Sequence, residues 1–206
     1  MTVLEQRPAQ TLPESALPVL ETERLLLRAP RLSDAEALAS LINDRRIAEN
    51  TATVPHPYTL ADAKTFIASA NKTADAGSFL ITARDGTLLG GCGVGSLRGD
   101  GSLRSGPPEI GYWIGVPFWG NGYATEAARA ALDFAFAELG HDAIRGAARV
   151  SNPASRRVLE KCGFQWTSVK LVRVRAINSA APIDRFRLDR GLWASLKSWG
   201  SVRRLA

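Results

Sequence analysis

Trp119-Gly120-Asn121-Gly122-Tyr123-Ala124 joins a stretch that alternates like a strand to one that repeats like a helix. Upstream, Ile110, Tyr112, Ile114 and Val116 alternate with Gly111, Trp113 and Gly115, a period of two. Downstream, the Ala-rich run from Thr125 to Leu139 sets Ala124, Ala127, Ala128, Ala131 and Ala135 at helical spacing. Glu126, Arg129 and Asp133 share its other face, and Glu126 and Arg129 are spaced to pair. The two glycines therefore fall where a strand hands over to a helix. Glycine lets backbone approach a ligand closely, and a helix start offers unpaired N–H groups with roughly half a positive charge. Such a turn suits an anion, and a diphosphate in particular. A plain tight turn has the same spacing, so the flanking residues have to decide between the two.

Three blocks of the chain resemble the GNAT N-acetyltransferase superfamily, and within it the branch that acetylates the N-termini of ribosomal proteins. Pro108 to Gly115 followed by Phe118 to Ala127 is similar to that family's coenzyme-A-binding motif. Asn152 to Phe164 resembles its next segment, and Leu20 to Arg28 its opening strand. The blocks occur in the family's order and span residues 20 to 193. The resemblance implies an α/β fold with a mixed, mostly antiparallel central sheet of about seven strands and about four helices on its faces. That sheet is splayed between strands four and five. It also implies acetyl-CoA as co-substrate, an amine acceptor (a protein N-terminus or a small molecule) and direct attack of that amine in a ternary complex.

Composition sets the outer bounds. At 206 residues the chain is most simply one domain, and 45% hydrophobic residues suffice for a full core. The reading divides it into a flexible N-terminal arm over 1–19, an acetyltransferase domain over 20–195 and a basic tail over 196–206. The arm carries Pro8, Pro13 and Pro18 and no apolar segment, so it does not read as a secretory signal. Apolar runs are too short for a membrane span. Cys92 and Cys162 lie far apart, outside any C-x-x-C, which fits a reduced cytoplasm. His56 and His141 stand alone, so no metal site is expected. The net charge of +6 is uneven: residues 145–206 hold 14 Lys/Arg against 3 Asp/Glu. A basic half suits the phosphates of coenzyme A or a surface near RNA, and equally a solvated face. No aromatic-interleaved RNA motif is present, so specific nucleic-acid recognition is not expected. Oligomeric state is left open, a homodimer included.

Along the chain, Glu21 to Ala29 reads as a strand, and Ser33-Asp34 caps a helix running to Arg45. Asn43 to Tyr58 is an irregular link, and Thr59 to Ala74 a second helix. Asp85-Gly86 joins two hairpin strands, Ser78 to Thr82 and Leu88 to Val94. Gly95 to Pro108 reads as a mobile loop. Gly140 ends the Ala-rich helix, and Ala143 to Val150 is a strand followed by a short helix, Pro153 to Cys162. Phe164 to Arg175 and Asp184 to Asp189 close the sheet, joined by residues 176–183. Trp193 to Trp199 reads as a terminal helical turn.

Acetyl transfer needs a held donor, an oriented neutral amine and a stabilised carbonyl oxygen. By resemblance, the backbone of Trp119, Gly120, Asn121, Gly122, Tyr123, Ala124 and Thr125 holds the pyrophosphate. The family carries Arg or Gln at the position of Trp119, which reads here as a packing residue. Pro117 cannot continue a ladder, so pairing stops near Val116 and the strand is free to part from its neighbour. Pantetheine would then pair with Ile114, Gly115 and Val116 as an added strand. Asn152 contacts the coenzyme arm by resemblance and also suits a helix cap. Arg156, Arg157 and Lys161 are phosphate candidates, Arg157 foremost, or a solvated basic face. The Tyr that many relatives use to protonate the thiolate falls at Leu159. Ser155, one turn earlier, matches the ribosomal branch, or is simply a surface serine. Glu109 is the candidate base, or a contact to the substrate ammonium. Cys162 reads as core. Because Leu159 and Trp119 depart from the pattern, a non-catalytic acyl-CoA-binding sensor is the alternative. A basic RNA-associated protein is a third reading, and predicts salt-sensitive binding.

Overall fold

The computed structural model describes residues 17–70, 77–95 and 107–201. The N-terminal arm up to residue 16, most of the 95–108 loop and the end of the basic tail lie outside them. The strands are β1 (Leu20–Glu21), β2 (Leu25–Arg28), β3 (Gly77–Ala83), β4 (Leu88–Gly95), β5 (Glu109–Ile114), β6 (Ala143–Arg149), β7 (Gln165–Val174) and β8 (Ser179–Asp189). They form one sheet in the order β1-β2-β3-β4-β5-β6-β8-β7. Neighbours are antiparallel except β5 and β6, which run parallel. The helices are α1 (Ala35–Ile42), α2 (Arg45–Ala48), α3 (Leu60–Ala70), α4 (Tyr123–Ala137), α5 (Pro153–Lys161) and α6 (Arg190–Ser201). Among the described residues, no helix is long and apolar enough to cross a membrane.

Alternation along the strands divides the apolar residues between two cores. Phe79 and Ile81 join Ile110, Ile114, Ile144, Phe186 and Leu188 in a core with α4 and α5. Leu80 points the other way, to Leu38, Ile42, Ala63 and Ile67 of α1 and α3. The sheet is thus covered on both faces, a mixed α/β sandwich.

The sheet has eight strands and the described chain six α-helices, against about seven and four expected from the family's layered plan. Each difference has a local cause. The opening strand is a hairpin: Thr22 Oγ1 accepts from the Leu25 N–H at 2.9 Å, and Glu21 pairs back onto Leu26. Inside the link read as irregular, Asp44 caps α2 by accepting from the Arg46 N–H at 2.9 Å. The expected 176–183 connection is a tight turn, closed at Asn178 with φ 49°, and β8 begins at Ser179. Pro182 lies within this strand, where a proline cannot donate to a ladder. It is tolerated because it lies beyond the last β6 partner of β8, Ile183 opposite Arg149. The terminal turn is the longer helix α6.

The polar stripe of α4 also behaves differently from its spacing. Glu126 is taken by Arg24 at 2.6 Å rather than by Arg129. Arg129 Nη2 donates to the Lys161 carbonyl at 2.9 Å. Asp133 accepts from Trp193 Nε1 at 2.9 Å and Lys197 Nζ at 2.6 Å. The three residues therefore tie α4 to the opening hairpin, to the end of α5 and to α6. Beneath them Phe136 is fully buried and stacks on Trp193, centroids 5.1 Å apart. Phe136→Ala should destabilise the fold by about 3–5 kcal/mol. Urea unfolding monitored by far-UV circular dichroism should show a lowered midpoint with an unchanged slope.

Candidate functional site

The site is organised around the place where β5 and β6 part. β5 pairs with β4 along its whole length, Glu109 to Ile114. With β6 it shares only Glu109 opposite Arg145, backed by the Arg145 N–H donating to the Pro108 carbonyl at 2.8 Å. Beyond that point the strands diverge, as expected of strands four and five. The Gly115 N–H still reaches the Leu89 carbonyl at 2.8 Å, after which Val116–Phe118 forms a 3-10 turn with Pro117 inside it. Pairing therefore stops one residue before Val116.

The turn into α4 sits at the open end of β5. Gly120 and Gly122 both lie in the left-handed region, at φ 81° and 80°. A side chain there is strained by the backbone itself, since no atom stands within 4 Å of a Cβ on Gly120 and only Arg24 Nη2, at 3.6 Å, near one on Gly122. Gly122 is the N-cap of α4 and offers no side-chain cap, and the Thr125 N–H turns back to the Gly122 carbonyl at 3.0 Å, which leaves the Tyr123 and Ala124 amides without an intrahelical partner. With the macrodipole of a 15-residue helix behind them, they make the turn a cradle whose chemistry suits an anion. Asn121 Nδ2 donates to the Phe118 and Trp119 carbonyls at 3.1 and 3.2 Å, which stiffens the turn. Trp119 is 47% exposed and so is not a core residue. Its Nε1 donates to the Ile114 carbonyl at 2.7 Å and fastens the turn to β5. That bond uses one carbonyl the spacing had assigned to pantetheine.

Arg24 completes this end of the site, and sequence reading did not single it out. Its Nη1 donates to the Asn121 carbonyl at 3.1 Å, its guanidinium pairs with Glu126, and it lies over the Tyr123 ring at 4.9 Å. Glu126 also accepts from Thr22 Oγ1 at 2.6 Å and the Arg24 N–H at 2.9 Å. Burial would raise the Glu126 carboxyl, but the Thr22 and Arg24 bonds outweigh it and hold it below the usual range. The opening hairpin is thereby clamped to the cradle.

On the face packed by α4 and α5, Asn152 Oδ1 accepts from the Ser155 N–H at 3.1 Å, the cap reading. Tyr112 of β5 meets Ser155 of α5, its hydroxyl donating to the Ser155 carbonyl at 2.9 Å and lying 3.0 Å from Oγ. Burial pushes the Tyr112 phenol above its ordinary range. Tyr112 was read only as an apolar position in the strand pattern. The signal that it does more is its place next to the split, which only the topology supplies. Leu159 is buried, and a Cβ on Gly146 would lie 2.7 Å from its side chain, so the position is filled by packing. Arg156 pairs with Glu160 at 2.9 Å and Asp184 at 3.4 Å, whereas Arg157 is exposed. Burial raises the Cys162 thiol to about 11, so it is a poor nucleophile at neutral pH.

The opposite face of the split carries Glu109, whose carboxylate accepts from Arg185 Nη1 at 3.1 Å. Here the 43–58 and 172–185 segments meet, through the Arg175 N–H on the Ala52 carbonyl at 3.2 Å. A shallow cleft lined by Leu41, Asn43, Asp44, Val116, Pro117 and Phe118 opens beside the end of β5. Glu109 and Ser155 are thus on opposite sides of the sheet, with the split between them.

Comparison with known proteins agrees with this geometry. The sequence model of the acetyltransferase (GNAT) domain matches residues 24–165. An uncharacterised N-acetyltransferase of Bacillus subtilis, YoaA, is 30% identical over 173 residues, covering 81% of this chain and 93% of that one. The crystal structure of a GNAT-family acetyltransferase from Bacillus anthracis superposes with a TM-score of 0.70 at 22% identity, covering 84% of this chain and 99% of the other. RimL, a ribosomal L7/L12 alpha-N-protein acetyltransferase solved with coenzyme A, gives a TM-score of 0.68 at 16% identity, covering 84% and 98%. These last two likenesses are likenesses of fold.

The Glu126 clamp has a pH signature. Its folded-state pKa is depressed, so its contribution is present above the ordinary Glu value of about 4.3 and is lost as pH falls below it. Glu126→Gln should therefore lower the melting temperature at pH 7. The gap to the parent protein should narrow between about pH 5 and pH 3 in scanning calorimetry.

Proposed function

The chain belongs to the GNAT acetyltransferase family, and we propose that it is an acetyl-CoA-dependent N-acetyltransferase acting on a primary amine by direct attack in a ternary complex. The observation that carries this reading is the cradle of Gly120 and Gly122, both left-handed, set at the mouth of the β5–β6 split. The residues fit the coenzyme. Amides from Gly120 to Ala124 suit the pyrophosphate, the Thr125 N–H being bonded to the Gly122 carbonyl, with Arg157 exposed for a further phosphate. The diverging edges of β5 and β6 suit the two amides of pantetheine, although at the end of β5 the Gly115 N–H and carbonyl are bonded to Leu89 and Phe118 and the Val116 carbonyl to Trp119. Asn152 holds the start of α5 at the side of the arm. We assign residues 20–195 to this domain and place the protein in the cytoplasm.

Acetyl-CoA supplies an activated acyl carbon. The acceptor amine forms its C–N bond to that carbon as the C–S bond breaks. An α-amine has a pKa of about 7.7–8.0, so a sizeable neutral fraction exists at pH 7. Glu109, fixed in place by Arg185, takes the proton that the amine must lose, directly or through water. The departing thiolate receives its proton from the hydroxyl pair Ser155–Tyr112, which stands on the other face. Tyr112 thus does from a strand what the family's Tyr does from the helix position that Leu159 fills. The buried Leu159 favours the alternative, a coenzyme-binding sensor without turnover.

Turnover separates the two. Acetyl-CoA at 100 times its dissociation constant should stabilise the protein by about 2.7 kcal/mol in a thermal shift, under either reading. Gly122→Val should lose that shift, because a β-branched residue at φ 80° costs about 1–2 kcal/mol and displaces the amides. Mass spectrometry of an amine panel should show a gained acetyl group, and its complete absence with coenzyme bound would leave only the sensor. Ser155→Ala and Tyr112→Phe should each lower kcat by about 100-fold with little change in KM for acetyl-CoA. If the pair acts as one unit, the double variant should be little worse than either single one.

A further inference from the structure

We infer that the acceptor is an anionic amine, a primary amine carried within a few bonds of a carboxylate or phosphate, seated on the arginines of β6 and β8 beside the split. This rests on the acetyltransferase reading above and names its substrate class.

Register fixes where these arginines stand. Arg145 pairs with Arg187, Ala147 with Arg185 and Arg149 with Ile183. Their neighbours Ile144, Ala148, Phe186 and Leu188 belong to the core under α4 and α5. Side chains alternate along a strand, so Arg145, Arg149, Arg185 and Arg187 all lie on the other face, the one that carries Glu109. β6 is the far wall of the split, so this face is where an amine must approach.

The charge on that face is unbalanced. Arg185 is answered by Glu109 at 3.1 Å and Arg187 by Asp189 at 2.6 Å. Arg145 and Arg149 have no carboxylate partner among the described residues. Arg149 Nη1 donates to the Glu49 carbonyl at 2.7 Å, which pins it under the segment after α2. The Nε atoms of both Arg145 and Arg149 are buried with no acceptor. A buried guanidinium N–H left without a partner is costly, and like charges directly across a strand pair, as Arg145 and Arg187 are, repel. An anion beside Arg145 offsets the repulsion from Arg187, and one extended toward Arg149, about 13 Å along the strand, answers the second guanidinium. A polyamine would add charge of the wrong sign, and an uncharged amine would leave the donors unmet.

The test measures kcat/KM of the full chain, with saturating acetyl-CoA, for matched acceptors. One pair is a peptide beginning Ser-Asp-Asp against one beginning Ser-Lys-Lys. The other is phosphoethanolamine against ethanolamine. The anionic member of at least one pair should lead by about tenfold or more, and the lead should shrink as salt rises. Whichever pair shows the lead tells carboxylate from phosphate. Arg145→Gln and Arg149→Gln should each narrow the ratio within the pair. Arg145→Gln is the safer variant, because Arg149 also holds the Glu49 carbonyl. Equal rates within both pairs, preference for the cationic or uncharged member, or a ratio that neither substitution changes would overturn the inference while the acetyltransferase reading stands. Coenzyme binding without acetylation of any acceptor would overturn both.

Discussion

A single ladder pair, Glu109 opposite Arg145, joins the two halves of the sheet. Everything to one side of it is an antiparallel meander, β1 to β5. Everything to the other is the three-stranded group β6, β8 and β7. A parallel pair needs a crossover, and here α4 supplies it. Because β5 and β6 start together and then separate, each presents backbone groups along its inner edge. Unpaired strand edges are a liability when exposed, and most proteins cover them. Here they face one another across a gap of the fold's own making, which is the simplest structural argument for a ligand with amides of its own.

The gap would close or shear without external bracing, since a single ladder pair resists little. Bracing comes from α4 and α5, which cross behind it. Arg129 on the Lys161 carbonyl ties one helix to the other, and Tyr112 on Ser155 ties β5 to α5 directly across the opening. The clamp of Thr22 and Arg24 on Glu126 fixes the start of α4, and so the direction in which its amides point. Each of these bonds is partly exposed and modest alone. Together they hold two half-sheets at a fixed spacing, a geometric task that apolar packing, being non-directional, performs poorly.

Local chemistry was legible in the sequence wherever the determinant was itself local. The period of two in β5, the period of 3.6 in α4, the break at Pro117 and the two glycines all followed from neighbours in the chain. So did the cap at Asn152 and the burial of Cys162. Determinants that depend on chain reversal were not legible. Thr22 turning back on Leu25 made one expected strand into two, and Asn178 turned a supposed loop into a hairpin. Pro182 sits inside β8 because its nitrogen lies beyond the β6 ladder, which only the register reveals. At the site the same division holds. The glycine turn between β5 and α4 is a contiguous hexapeptide, and its strand-to-helix geometry was legible. Arg24, Tyr112 and the facing arginines are separated from their partners by tens of residues and became visible only with the register.

The two faces of the split assign different chemistry to each side. On the α4–α5 face the polar groups are neutral hydroxyls in a largely apolar surrounding, and burial keeps the Tyr112 phenol protonated. A phenol raised by burial is a weaker acid than a thiol, so in the proposed reaction the pair hydrogen-bonds the thiolate as its charge develops, and a proton it passes on is restored from solvent. On the opposite face the groups are ionic: Glu109, Arg145, Arg149 and Arg185. Ions there suit the charged acceptor proposed above, while the hydroxyl pair lies on the other side of the sheet. In the proposed reaction the acyl carbon sits in the opening between them. The proton lost by the amine and the proton gained by the thiolate then never share a path.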